Sequence, residues 1–224
     1  MKGGIVMYYA IIGDIINSKK INDRLETQEK LKLFLEEINL YYKNDIAANF
    51  IITLGDEFQG LLKTPRNLFE IINKLEAIMR PYKIRFGIGI GEIITNINNK
   101  ASIGSDGPAW WNARDMISDL KNNRKGLKLV SNVKIAGIKD DNILDLLNIN
   151  LSFCHSIKNN WTKDQMAVID YIILKYGLTD NFIQKQVANE IGLSPVNINK
   201  KLKLSLFYDL VYAQQTIAKI LYKG

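Results

Sequence analysis

The hydrophobic positions of this chain change period several times, and each change predicts an element. Residues 7–16 (MYYAIIGDII) form an almost unbroken apolar, β-rich run, which predicts a buried strand with Asp14 near its far end. Past a polar turn, Leu31, Phe34, Leu35 and Ile38 recur at helical spacing, predicting an amphipathic helix over 24–42 with one face on the sheet. Two short apolar runs, 46–53 and 58–62, flank Leu54-Gly55-Asp56-Glu57 and predict a hairpin with Asp56 and Glu57 at its tip. A second helix opens at Thr64-Pro65, carries Leu68, Ile71, Ile72, Leu75, Ile78 and Met79 on one face, and ends at Pro81. Residues 83–94 (KIRFGIGIGEII) predict a glycine-punctuated strand, a pattern that marks close approach by a backbone, side chain or ligand.

Strand, helix, strand, strand, helix, strand is the split βαβ order. It predicts an α+β fold with a ferredoxin-like antiparallel sheet and helices on one face. Downstream, Pro108 in a first turn and Trp110, Ala113, Ile117 and Leu120 at helical spacing predict a third helix. Its adjacent tryptophans face different ways, Trp110 into the core and Trp111 toward a surface or a dimer seam. Residues 127–131 and 143–153 read as edge strands, and 156–160 as a linker. Residues 161–176, 183–191, 195–206 and 210–221 then predict four helices, with Gly192-Leu193-Ser194 a three-residue turn in which Ser194 caps. The expected division is an α/β domain over 7–155 and a small all-α helix-turn-helix domain over 160–224.

With 224 residues, 47% hydrophobic and 24% charged, the chain has the apolar content of a folded protein and the length for two domains. No apolar run approaches the roughly 20 residues that span a bilayer, and no cleavable leader pattern opens the chain, so a cytoplasmic location away from membranes is expected. One cysteine, Cys154, and one histidine, His155, exclude an internal disulfide and a Cys/His zinc set. Any metal must therefore be held by oxygen, and Cys154 reads as a buried structural thiol.

The net charge of +7 favours a polyanionic partner, and its distribution says where. Residues 158–224 carry nine lysines against five acids, with Lys200, Lys201 and Lys203 clustered and no acid among them. In the segment QKQVANEIGLSPVNINKKLKL, Val187, Ile191, Ile198 and Leu202 point inward and the small Ala188 sits where two helices cross. That leaves Ser194, Asn197, Asn199, Lys200, Lys201 and Lys203 outward. Amides hydrogen-bond to base edges and ammonium groups meet phosphates, so double-stranded DNA is the expected partner. The alternative is a helical bundle whose lysines form a solvated face.

In the first domain, Asp14 at a strand end and Asp56 at a hairpin tip suit Mg²⁺, which takes one or two carboxylates along with substrate phosphates. Aspartate in tight turns also has purely conformational uses. The blocks IIGDII, GDEF, RFGIGIGE and IGSDGPAWWNAR, in this order, resemble those of class III nucleotidyl cyclases and their diguanylate-cyclase relatives over residues 7–131, and the whole-chain layout is similar to the SatD family. The resemblance implies that Asp14 and Asp56 hold metal, that the Ile15 carbonyl is a third ligand, that Glu57 also meets metal, and that Arg114 steadies phosphate charge. It thereby implies a catalytic set of Asp14, Asp56 and Arg114, Mg²⁺ as cofactor, and a nucleoside triphosphate or cyclic nucleotide as ligand. Because cyclase sites are shared between subunits, it also implies a head-to-tail homodimer.

Gly55, Gly89 and Gly91 would admit a nucleotide closely, or equally relieve crowding at a bend. The departures from the cyclase pattern are Ile52 where a lysine reads the base, Trp110 where an asparagine is expected, and Leu54 in place of the first hairpin glycine. Three functions follow as expectations. The first is a DNA-binding regulator with a nucleotide- and metal-binding cyclase-like domain. The second is a Mg²⁺-dependent enzyme making a cyclic or linked nucleotide. The third is a non-catalytic protein-interaction scaffold.

Overall fold

The opening apolar run becomes the central strand, β1 (Tyr8–Ile15), of a five-stranded sheet. A computed structural model of the chain describes residues 6–122 and 130–223. β1 pairs antiparallel with β3 (Glu57–Leu62) on one side and β4 (Ile84–Gly91) on the other. β2 (Ile46–Leu54) lies outside β3, and β5 (Val133–Ala136) joins β4 in parallel, giving the order β2-β3-β1-β4-β5. The sheet is therefore mixed rather than purely antiparallel. The helix between β4 and β5, α3 (Pro108–Asn122), is the crossover that a parallel neighbour requires.

Alternation along β1 sorts the two faces. Tyr9, Ile11 and Ile15 join the core that includes Leu31, Leu35 and Ile38 of α1 (Arg24–Tyr41) and Leu68 and Ile72 of α2 (Leu68–Met79). Ala10 and Ile12 point the other way, onto Ala109, Trp110, Ala113 and Ile117 of α3. Helices thus cover both faces, which corrects the expectation of one. The physical reason is the row Gly87, Gly89 and Gly91, which bares the β4 backbone so that α3 lies directly on it. A Cβ at Gly89 would stand 2.0 Å from the Ala109 carbonyl oxygen, and one at Gly87 2.3 Å from that of Ala113.

A second correction concerns residues 143–153, which are not edge strands but part of α4 (Asp141–Asn159). The Asp140 carboxylate caps this helix, accepting from the amides of Asn142 at 3.0 Å and Ile143 at 3.1 Å, and Leu147, Leu151 and Cys154 share its buried face. Residues 156–159 are its last turn. Of the other expected edge strand, 127–129 lie outside the described residues, and 130–131 precede β5 without strand pairing.

Four more helices follow: α5 (Lys163–Tyr176), entered through a Thr162/Gln165 capping box, α6 (Gln184–Ile191), α7 (Pro195–Leu204) and α8 (Phe207–Lys223). α5 and α8 pack against α2, α7 packs on α5 and α8, and α6 packs on α7. Ile72 of α2, Ile169 of α5 and Leu210 of α8 belong to one buried cluster. The Tyr9 hydroxyl donates to the Leu221 carbonyl at 2.7 Å, and the Asn73 amide donates to Gln214 at 2.7 Å with both side chains buried. Among the described residues, no helix is long and apolar enough to cross a membrane.

Candidate functional site

Strand register gathers the first group of charges. Asp14 stands opposite Glu57 of β3 and Arg85 of β4, so all three side chains share the face that α3 covers. From α3, Lys121 places Nζ 2.7 Å from Asp14 Oδ1 and 3.8 Å from Glu57 Oε2. Arg85 Nη1 lies 3.1 Å from Asp14 Oδ2, and Arg114 Nη1 3.6 Å from Glu57 Oε1. The Asp14 side chain is only 8% exposed, and a carboxylate so buried is tolerated because two cations offset its lost hydration.

Beside this network lies a cleft of about 330 Å³ between the β2–β3 hairpin, the loop after β4 and the start of α3. Glu57 and Arg114 belong to both. Gln59 and Ser102 fasten the loop to β3: the Gln59 amide donates to the Ser102 carbonyl at 2.6 Å, and the Ser102 hydroxyl donates back to the Gln59 carbonyl at 3.0 Å. Trp110 is buried and donates its indole N–H to Ser105 Oγ at 3.0 Å. Trp111 is half exposed at the cleft and donates to Asp106 Oδ1 at 2.7 Å.

Asp14, Glu57 and Arg114 are thus brought together, whereas Asp56 is engaged elsewhere. Its carboxylate accepts from the Ser18 hydroxyl, and its carbonyl accepts from the Ile15 amide at 3.1 Å. The residues do not fit a divalent metal pair as arranged. Both Asp14 oxygens are held by cations, and among the described residues no three of His, Cys, Asp and Glu form a metal-holding group. In the network two carboxylates face three cations, and Asp106 on the cleft wall brings the site as a whole to balance.

The glycines have structural occupations. Gly55 turns the hairpin with φ at 58°, and its carbonyl accepts from Gln28 of α1. Gly89 and Gly91 lie under the α3 backbone, so their missing side chains make room for a helix. Sequence reasoning did not single out Arg85, Lys121 or Gln59. The signals were present but indirect: Arg85 precedes Gly87 by two residues on the same strand face, and Lys121 follows Arg114 by seven on the same helix stripe.

The second group of polar residues lies on α7. Val187 and Ala188 of α6 and Ile198 and Leu202 of α7 are buried, while Ile191 is only partly so. Gly192 turns the chain with φ at 70°, and Ser194 caps α7 by accepting from the Asn197 amide at 3.2 Å. Ser194, Asn197, Lys200 and Lys203 are exposed, Asn199 is half-buried, and Lys201 is drawn aside to Asp164 of α5 at 3.1 Å. Glu190 ties α6 to α5 by accepting from Lys175, Tyr171 and Tyr176. The Lys175 ammonium first, and the Tyr171 hydroxyl next, hold its carboxyl down at about 2.

Next to α7, the exposed Phe153 of α4, Leu204 at the end of α7 and Leu206 in the turn before α8 border a groove of about 260 Å³. The model of the SatD family matches residues 8–221, nearly the whole chain, and the chain belongs to that family. No curated protein matches it.

Proposed function

We propose that this SatD-family protein is a DNA-binding regulator whose α/β part, a ferredoxin-like and cyclase-type layer, binds a nucleotide. α6 and α7 act as a helix-turn-helix, with α7 entering the major groove. The observation that carries this reading is the exposed stripe of α7. Ser194, Asn197, Lys200 and Lys203 face solvent while Val187 and Ala188 of α6 and Ile198 and Leu202 of α7 are consumed in packing. Asn197 supplies a donor and an acceptor for a base edge, and the two lysines reach flanking phosphates.

The protein works as a homodimer, pairing two recognition helices on half-sites about one helical turn apart. The apolar border formed by Phe153, Leu204 and Leu206 supports self-association near α7, since large exposed side chains grouped on one surface mark interaction sites. On the α/β side, a cleft that shares Glu57 and Arg114 with a cation-rich cluster supports an anionic, ring-bearing ligand.

The test is selection from a pool of random duplexes by the full chain, followed by affinity measurement on the enriched sequence. A shared motif should emerge, and Asn197→Ala should lower affinity for it by about 1–3 kcal/mol while relaxing preference at one position. Failure to enrich any motif, or unchanged affinity in both Asn197→Ala and Lys200→Ala, would overturn the reading.

A further inference from the structure

Trp111, Arg114, Ser118 and Lys121 fall on one stripe of α3, at successive spacings of three, four and three residues. Trp111 and Arg114 line the cleft, while Lys121 lies about 10 Å further along the axis, at about 1.5 Å per residue. The stripe therefore begins with an indole, passes a guanidinium and ends at an ammonium beside Arg85. A nucleobase, a sugar and a chain of phosphates have the same order of apolar ring and successive negative charges. The cleft volume of about 330 Å³ lies at the lower end of small-molecule sites, room for a base and its sugar.

We infer that this stripe binds a nucleoside di- or triphosphate without a divalent metal, the phosphates lying on Arg114 and Lys121 and the base against Trp111, Leu54 and Gln59. The inference rests on the nucleotide reading of the α/β part and removes the metal from it. Glu57 holds both Arg114 and Lys121 when no phosphate is present. An incoming phosphate competes with that carboxylate for the same two cations, so Glu57 opposes binding rather than assisting it. Asp14 keeps Arg85 as a partner when Lys121 turns to the ligand. A metal-dependent site has the opposite sign at Glu57, because a carboxylate that held the ion would be required.

The experiment is calorimetric titration of the full chain with ATP, GTP, CTP and UTP, in excess Mg²⁺ and again in EDTA, with tryptophan fluorescence as a second readout. At least one triphosphate is expected to bind with affinities that agree within about threefold between the two conditions. Arg114 is 60% exposed, so Arg114→Ala should leave the fold intact and weaken binding about tenfold, whereas Glu57→Gln should tighten it several-fold. Binding only with Mg²⁺, together with weakening in Glu57→Gln, overturns the metal-free inference and leaves the nucleotide reading standing. No binding of any of the four under either condition overturns both.

Discussion

On the α3 face of the sheet Asp14 and Glu57 are interlocked with Arg85, Arg114 and Lys121. On α7, Lys200 and Lys203 stand exposed and outside every ion pair among the described residues, and only Lys201 is tied down. The two surfaces hold similar chemistry in opposite states. A closed network admits a ligand only by exchange, since the ligand must replace bonds already made. An open face carries its own counterions and releases them on binding a polyanion, so its affinity follows ionic strength. Charge count alone does not separate a recognition site from a docking face; the partners already present do.

The largest expected effect tests whether the glycine row under α3 serves packing. Gly89→Ala should cost about 3 kcal/mol in chemical denaturation, because its Cβ would meet the Ala109 carbonyl. Undiminished stability would mean that α3 does not sit on β4 as described. Next comes the interlocked cluster. Asp14→Ala should lower stability by about 2 kcal/mol by stripping two cations of their partner, while Lys200→Ala should stay within about 0.5 kcal/mol. Equal costs for the two would erase the contrast between the surfaces.

Smaller in size is a step set by His155, the sole histidine. Burial first, and the Lys158 ammonium next, push its imidazole below the ordinary 6.5. The unfolded chain then takes up this proton at a higher pH than the folded one. Stability is therefore full above about 6.5 and falls as the pH drops below it. Melting curves from about pH 7.5 to about pH 5.5 should show a fall in Tm of about 2 °C that His155→Gln removes. A fall that persists in the variant would assign the step to other groups.

The framework of β1 to β4, α1 to α3 and α5 to α8 was legible in the sequence because each segment holds a single hydrophobic period. α4 was not, since Ile143, Leu144, Leu146, Leu147, Ile149, Leu151 and Phe153 satisfy both a strand and a helix, and only the Asp140 cap breaks the tie. The exposed stripe of α7 followed from helical spacing, although the pairing of Lys201 with Asp164 of another helix did not. In the α/β part, neighbouring strands bring Asp14 and Glu57 together, but spacing does not reveal which way a turn residue faces. Asp56 therefore reads as a partner of Asp14 until Ser18 is seen to hold it. Arg85 and Lys121 were hidden for a related reason, because their role depends on cross-strand register and on the seat of a helix over glycines.

The claim that α7 meets DNA through its open lysines is tested most directly by the salt dependence of duplex binding. Measured by anisotropy from about 50 mM to about 200 mM monovalent salt, the logarithm of affinity should fall linearly for the natural chain. In the Lys200→Ala, Lys203→Ala double variant the slope should be shallower by about 2. The same slope in both proteins, or affinity indifferent to salt, would contradict the assignment of α7 as the DNA-contacting helix.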